Sequence, residues 1–412
     1  MINANRMKHP LRWLPVAASG LCVAAPDLAA RQQDIGDTWI SHPEFEIGEG
    51  PTGTGPAAFG IINTVQLIGD SLLLVTEPLD FRVTIWTPGG RLVAQVGGPG
   101  EGPGEFSWTM SVGVHREEFY VIDAVRFTSF SHAGELLGTT PFPPPSLSFR
   151  GFGLSPEALL EDGSVLATPS IPPAALRGLE GDDPIEMAPV FRLAAEGGRW
   201  RMDTIAMRDI RNRNLSVMGI HGGQIYGDYD LTFFEPVLGT VVVLRRNLGG
   251  GLVELVEINA DGDTVLQRRV ATSPVTMEQD QLESFIDDLA QQYSKWVPPG
   301  SSPPYRALRA AIEEAVYIPN PLPGARMVRG TASGEIWFRA IKGVDSHGLW
   351  YAVSRDSTAS WLRKVLLPPG FTLTDATETH VWGVRRDELG VQYVVGRRLV
   401  PLAAAKESPE RR

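Results

Sequence analysis

From Phe59 onward, apolar and polar residues alternate with a period of two, in short runs that end at glycine turns. This pattern is typical of half-buried β-strands joined by hairpins. The first set predicts strands over 61–68, 71–76, 82–86 and 91–96, and the second predicts strands over 111–115, 118–122, 127–131 and 136–140. The turn glycines Gly90 and Gly134 lie 44 positions apart, which suits a repeated four-stranded unit.

Four further units are predicted after residue 150. The third is less regular and contains a proline-rich, acidic segment between its second and third strands, at 169–187. The fourth spans roughly Leu215 to Val270. The fifth has strands at 325–329, 336–340, 349–353 and 362–367. The sixth has only three strands, at 372–376, 380–385 and 391–399, and therefore lacks its outermost one.

Two helices interrupt the strands at about 274–318. Apolar residues in 276–296 and 305–316 recur at helical spacing, and Thr276 with Gln279 matches a capping box. The sequence therefore predicts a helical insertion between the fourth and fifth units.

One glycine-rich phrase occurs twice, at 46–59 and at 95–106, and ends each time in a phenylalanine. The second copy follows the outermost strand of the first unit, so the first copy must also follow an outermost strand, at 39–47. That strand would complete the sixth unit and remove its open edge. We therefore expect an all-β fold, a six-bladed β-propeller over 31–402 closed by an N-terminal strand. A β-sandwich with an extra hairpin is the alternative.

The first two units resemble the NHL repeat, whose consensus runs from a valine through an aspartate and an asparagine to an arginine, an aromatic residue and a turn glycine. Glu77, Asp80 and Arg82 stand at the polar positions of the first copy, and Trp86 is its aromatic residue. A shortened second copy has Asp123, Arg126, Phe130 and Gly134. The phrase ending at Phe106 is similar to the inter-blade loop of secreted bacterial six-bladed propellers of the NHL-like kind. The resemblance implies a propeller fold.

The repeat residues are interpreted as structural. An acid at a strand end beside an arginine a few residues later can join strands by a charge-assisted hydrogen bond, so we expect Glu77–Arg82 and Asp123–Arg126 pairs. The phenylalanines of the two phrases, Phe59 and Phe106, are assigned to the same structural framework. Phe106, like Trp86, Phe130 and Trp337, lies on a period-two face and is predicted to pack between units.

The N-terminus has the pattern of an export signal. Residues 1–12 carry basic side chains, 13–25 are mostly apolar, and small residues precede Arg31, which predicts a signal peptide over 1–30. An uncleaved buried helix, or lipidation at Cys22, are alternatives. Cys22 is the only cysteine, so cleavage leaves no thiol. We expect an exported, periplasmic or extracellular monomer without a membrane span and with a disordered tail at 403–412.

Charge and motifs exclude several functions. The net charge of −11 and the scattered basic residues argue against nucleic acid as a partner. The sequence has no nucleophile elbow, zinc-protease motif or phosphate loop. The stretch 259–263 resembles the opening of a calcium loop but lacks the later glutamate, which favours a hairpin turn.

The function predicted from these observations is binding of a protein, peptide or glycan by a non-enzymatic platform without a cofactor. The alternative is a divalent-metal-dependent hydrolase or lyase, similar to propeller lactonases, with calcium in the central channel. Candidate channel residues are few and scattered. They are Asn63, Gln66, His115, Glu157, Asp375 and His380.

Overall fold

The computed structural model describes residues 38–50, 52–69, 71–107, 111–123, 125–172, 185–218, 220–295, 303–341, 348–356 and 362–403. All of these residues lie in the compact unit Asp34–Arg412. The proposed signal peptide, with Cys22, and residues 404–412 of the proposed tail lie outside the described residues.

The described chain begins with a long strand and then forms two four-stranded antiparallel sheets. The long strand is β1 (Thr38–Ile47). Sheet 1 contains β2 (Thr64–Ile68), β3 (Leu72–Glu77), β4 (Arg82–Trp86) and β5 (Leu92–Gly97). Sheet 2 contains β6 (Ser111–Val114), β7 (Glu118–Ile122), β8 (Arg126–Ser131) and β9 (Leu136–Pro141). These are the first two units that alternation predicts.

The third sheet has five strands, the fourth has four, and a two-stranded ribbon separates them. Sheet 3 contains β10 (Ser148–Phe149), β11 (Phe152–Leu159), β12 (Val165–Pro169), β13 (Met187–Glu196) and β14 (Arg199–Asp209). The ribbon is β15 (Asn214–Val217) and β16 (Ile220–Gly223). Sheet 4 contains β17 (Leu231–Glu235), β18 (Thr240–Arg245), β19 (Leu252–Asn259) and β20 (Thr264–Ala271).

Helices α1 (Gln279–Ser294) and α2 (Tyr305–Ala315) form the insertion and pack on the ribbon. The predicted fourth unit was therefore wrong at its start: Leu215 and Val217 are buried against Ile286 and Ile312, and the first strand of sheet 4 is β17. The capping box also differs from the prediction, because Glu278 N donates to Gln281 Oε1 at 3.1 Å.

The remaining strands form one eight-stranded sheet in the order β21-β22-β23-β24-β1-β27-β26-β25. Its first half is β21 (Ala325–Gly330), β22 (Ile336–Ala340), β23 (Leu349–Val353) and β24 (Leu362–Leu366). Its second half is β25 (Phe371–Ala376), β26 (His380–Arg386) and β27 (Gln392–Pro401), completed by β1. Strand β1 runs antiparallel to β27 from Trp39–Pro401 to Ile47–Val394, which confirms the predicted pairing of the N-terminal strand. It also pairs in parallel with β24, which the sequence did not indicate.

Six buried clusters connect the four-stranded groups in a cycle. Apolar side chains join sheet 1 to sheet 2, sheet 2 to sheet 3 and sheet 3 to sheet 4. Further clusters join sheet 4 to the first half of the eight-stranded sheet, and that half to the second. The last cluster returns to sheet 1, where Trp382 and Val384 pack with Val65 and Trp86. The arrangement is that of an all-β, propeller-like fold with two helices among the described residues.

Candidate functional site

A polar cavity lies where the first strands of the groups converge. It measures about 430 Å³ and is lined by residues from sheets 1 to 4 and from both halves of the eight-stranded sheet. The charged side chains in its wall are Glu157, Glu235, Asp375, Arg208, Arg213 and Arg329. We call it the central cavity. Its volume is in the range of small-ligand sites in proteins.

The structure brings four of the six sequence-predicted channel residues together at this cavity, namely Asn63, Gln66, Glu157 and Asp375. The two histidines do not line it. His115 is buried and its Nε2 lies 2.9 Å from the carbonyl oxygen of Leu159. His380 begins β26, where its Nε2 is 2.8 Å from Glu44 Oε2. His115 comes directly after β6, and His380 comes after the turn that follows β25. Both positions lie beyond the innermost strands that line the cavity.

Asp375 connects three parts of the ring. Its carboxylate accepts hydrogen bonds from the backbone N–H groups of Leu67 at 2.7 Å, Ala332 at 2.9 Å and Ala376 at 2.7 Å. Its residue exposure is 2%. Burial raises the pKa of this carboxyl to about 6, although the three N–H donors favour its charged form.

Glu157 lies on β11 of sheet 3, and Glu235 lies at the end of β17, the first strand of sheet 4. Burial raises the pKa of both carboxyl groups above the usual range, although nearby arginines oppose the shift. Glu157 Oε1 accepts a hydrogen bond from Thr168 Oγ1 at 2.7 Å, and Glu235 Oε1 lies 3.4 Å from Val237 N. Each of these carboxylates therefore has a protein donor that is not an arginine.

The three arginines are the cavity residues that the sequence did not single out. Arg208 lies near the end of β14, Arg213 in the loop that follows it, and Arg329 on β21. Arg208 is only 6% exposed, and its Nη1 is 3.3 Å from Thr232 Oγ1. Burial lowers the pKa of Arg208 to about 10, which still leaves it charged at neutral pH, and burial also lowers the pKa of Arg329. No motif marks these residues. Arg208 lies on β14, where it pairs with Ala188 of β13, and its position at the cavity follows from the packing of sheet 3.

The arginines lack partners of the kind that buried guanidinium groups usually have. Among the described residues, no carboxylate oxygen comes within 4.0 Å of a guanidinium nitrogen of Arg208, Arg213 or Arg329. Within that same part of the chain, the buried Nε atoms of Arg208 and Arg329 have no hydrogen-bond acceptor. Buried donors are ordinarily satisfied, so this wall of the cavity has unused donor capacity.

A second cavity of about 290 Å³ adjoins the first and shares Glu157, Arg208 and Arg213 with it. Its other lining residues include Ser155 and Thr168 of sheet 3, Ser170 just after β12, and Asn214 of the ribbon. The two arginines therefore face polar space on both sides.

The repeat residues lie away from the cavity. Arg82 donates from Nε and Nη2 to the two oxygens of Glu77, each at 2.8 Å, and Gly60 N also donates to Glu77. Arg126 Nε is 3.8 Å from Asp123 Oδ2, while its Nη atoms donate to carbonyl oxygens of the glycine-rich phrase. Asp80 is exposed.

The phenylalanines of the two phrases occupy matching positions. Phe59 packs edge-on against Trp86 with ring centroids 5.7 Å apart, and Phe106 packs in the same way against Phe130 at 6.2 Å. Each phrase therefore carries an aromatic side chain to the third strand of the next group.

The described residues also bear on metal binding and on membrane insertion. Within the described ranges, no three His, Cys, Asp or Glu side chains are grouped closely enough to hold a metal ion. Neither helix of the described chain has the length and apolar character needed to cross a bilayer. The stretch 259–263 forms a hairpin turn in which Asn259 Oδ1 accepts from Asp261 N at 3.0 Å and Asp263 N at 2.8 Å.

No family model matches this chain, and no curated protein matches it. Solved structures resemble it at low identity. A member of the DUF4221 family from Bacteroides vulgatus is 7% identical with a TM-score of 0.45, over 88% of this chain and 99% of that one. A virginiamycin B lyase from Staphylococcus aureus is 9% identical with a TM-score of 0.37, over 86% and 99%. The aldose sugar dehydrogenase of Streptomyces coelicolor is 10% identical with a TM-score of 0.34, over 88% and 98%.

Proposed function

We propose that this protein is an exported six-bladed β-propeller of the NHL-like kind that binds a peptide or glycan at its central cavity. The eight-stranded sheet counts as two blades in this proposal, since each half has four strands and a buried cluster packs the two halves against each other, as clusters do between the other groups. A protein partner would be bound through an inserted chain end or an attached sugar. The proposal assigns no catalytic role to the chain.

The observation that carries the proposal is the cavity itself. Its volume of about 430 Å³ suits one sugar unit or one or two amino-acid residues, and not a folded domain. Its wall contains amide, hydroxyl and charged groups from all parts of the ring, including Asn63, Gln66, Ser111 and Thr232. A few convergent polar groups in a preformed cavity fix the orientation of a bound polar molecule.

A binding experiment with a blocked cavity tests this proposal. The purified protein is applied to peptide and glycan arrays, and the ligands found are measured by titration calorimetry. Ser111 is an exposed residue in the cavity wall, so Ser111→Trp should fill the cavity and abolish binding without unfolding the protein. Ser146→Trp, at an exposed position outside the cavity, is the control. Binding that survives Ser111→Trp would place the ligand elsewhere and reject the proposal.

The proposal includes neither a metal nor another cofactor, and it competes with a divalent-metal-dependent hydrolase or lyase. Metal content is measured by mass spectrometry on protein purified without chelator, alongside melting curves with and without EDTA. We expect no stoichiometric metal and no change in Tm. A stoichiometric amount of calcium or zinc, with a lower Tm after chelation, would favour the enzyme and lead to assays with lactones and esters.

A further inference from the structure

We propose that the central cavity recognises its ligand through a carboxylate group, which the guanidinium groups of Arg208, Arg213 and Arg329 bind. This inference rests on the proposed ligand-binding function and specifies the chemistry of the ligand. The carboxylate is either the C-terminus of a peptide or the acid group of a sugar.

Two buried arginines have N–H donors that no protein group accepts from, among the described residues. The Nε atoms of Arg208 and Arg329 are buried and have no acceptor among the described residues. A guanidinium group offers five N–H donors in a planar fork, and a carboxylate is the acceptor whose geometry matches two of them at once. Arg213 is exposed at the same wall and lies between the two cavities. A ligand carboxylate would therefore satisfy donors that the protein leaves unused.

Within the described part of the chain, the acids of the cavity do not form ion pairs with these arginines. Asp375 accepts three backbone N–H bonds, and Glu157 accepts the Thr168 hydroxyl. No acid among the described residues forms an ion pair with the three arginines within 4.0 Å. The three guanidinium groups therefore form no direct ion pair with these acids, although Arg208 and Arg213 lie near enough to Glu157 to favour its charged form.

The charge of the wall favours a singly charged ligand. With three carboxyl groups and three guanidinium groups in its wall, the cavity has no excess positive charge when all six are ionised, so it offers no net attraction for a second negative charge. A carboxylate carries one charge, whereas a phosphate monoester carries nearly two at neutral pH. The hydroxyl and amide groups of Thr64, Ser111 and Gln66 suit the polar remainder of the ligand.

Matched acid and neutral probes test the inference by titration calorimetry with the full chain. Glucuronate is compared with glucose, and N-acetylglycine with N-acetylglycinamide; the first pair tests an acidic sugar and the second a peptide C-terminus. At least one acid should bind about 10- to 100-fold more tightly than its neutral partner, because a charge-assisted contact is lost in the neutral compound. Inorganic phosphate should bind more weakly than that acid.

Substitutions identify the side chains that respond to the acid. Arg329→Gln and Arg213→Gln should each lower the affinity for the acid by about 10-fold or more, and leave the affinity for the neutral partner unchanged. Arg326→Gln is the matched control, because Arg326 is exposed on the same strand as Arg329 and does not line the cavity. Arg213 is exposed, so its variant should fold even if loss of Arg329 does not permit folding.

Three results would overturn the inference while leaving the proposed function intact. One is a ligand from the arrays that is blocked by Ser111→Trp but binds equally with or without its acid group. Another is acid binding that persists in both arginine variants. Phosphate binding more tightly than either carboxylate would also reject the carboxylate assignment.

Discussion

At the scale of single residues, Asp375 links its own strand, β25, to β2 and to the segment after β21 through one buried carboxylate. The carboxylate oxygens of Asp375 accept hydrogen bonds from backbone N–H groups in β2, in the segment after β21 and in β25 itself. Thr374 makes a parallel contact, because its hydroxyl donates to Val65 O at 2.6 Å. The side chains of one strand thus supply hydrogen bonds between the ends of the chain, where no backbone ladder connects the groups.

Replacing Asp375 with alanine should strongly destabilise the fold. Each backbone N–H left buried without an acceptor costs about 1–3 kcal/mol, so Asp375→Ala should lower the free energy of unfolding by about 3 kcal/mol or more. Chemical denaturation measures the change. Asp356→Ala, at an exposed position, should have little effect. If the two variants were equally stable, the carboxylate would not hold the ring together as described.

Asp230 should make stability depend on pH. It is buried beside Asp209, whose N–H donates to Asp230 Oδ2 at 2.8 Å, and the charges of Arg245 and Arg246 favour its ionised form. Burial raises the pKa of Asp230 from 3.8 to about 6. Because the folded state then binds the proton more tightly, this group stabilises the protein fully below about pH 4, and the stabilisation is lost as the pH rises through 6.

The test of this linkage is the free energy of unfolding between pH 5 and pH 8. The Asp230→Asn variant should lose part of the decrease seen in the parent protein over this range, up to about 1.5 kcal/mol. Asp375 contributes a decrease of the same sign, so the variant should not become fully independent of pH. Asp356→Asn serves as the control. A steeper decrease in Asp230→Asn than in the parent would contradict the assigned shift.

At the scale of elements, the helical insertion and the ribbon form a lobe with its own core. Leu215 and Val217 of β15 are buried with Ile286, Leu308 and Ile312 of the helices. These segments are separated by more than 60 positions in sequence and neither extends one of the ring sheets. The lobe is thus a second packing unit attached to the ring.

Shortening a buried side chain in the core of the lobe should lower the local stability of the lobe more than that of the ring. Ile312 is fully buried, so Ile312→Ala should cost about 2–5 kcal/mol locally. Hydrogen exchange measured by mass spectrometry should then show faster exchange in α1, α2 and β15, with β3 and β7 unchanged. Arg306→Ala, on the exposed side of α2, should change neither. Equal acceleration throughout the chain would show that lobe and ring unfold together.

At the scale of the whole molecule, closure depends on the pairing of β1 with β27 and β24. The same junction is reinforced by Ile47, which packs with Trp382 and Trp86, and by Gln392, whose Oε1 accepts from Ile62 N at 2.6 Å. Without β1, two strands would have unpaired edges, and exposed edges promote association between chains.

A chain that begins at residue 48 should therefore have a lower Tm and form oligomers. Calorimetry and light scattering measure the two effects. A chain that begins at residue 34 retains β1 and should remain monomeric and as stable as the longest form. A monomeric truncated chain with unchanged Tm would show that the six buried clusters close the ring without β1.

The amino-acid sequence determined the first two sheets, most of the later strands, the two helices and the partner of the N-terminal strand, because alternation, turn glycines and a repeated phrase are local signals. It also indicated Asn63, Gln66, Glu157 and Asp375, because these polar residues were predicted on or next to the innermost strands of the units, which line the channel of a propeller. Only the tertiary structure brought Arg208, Arg213 and Arg329 together at one cavity and placed His115 and His380 outside it. It also packed the ribbon against the helices. Those outcomes depend on how far strands extend and on contacts between distant segments, which no local pattern records.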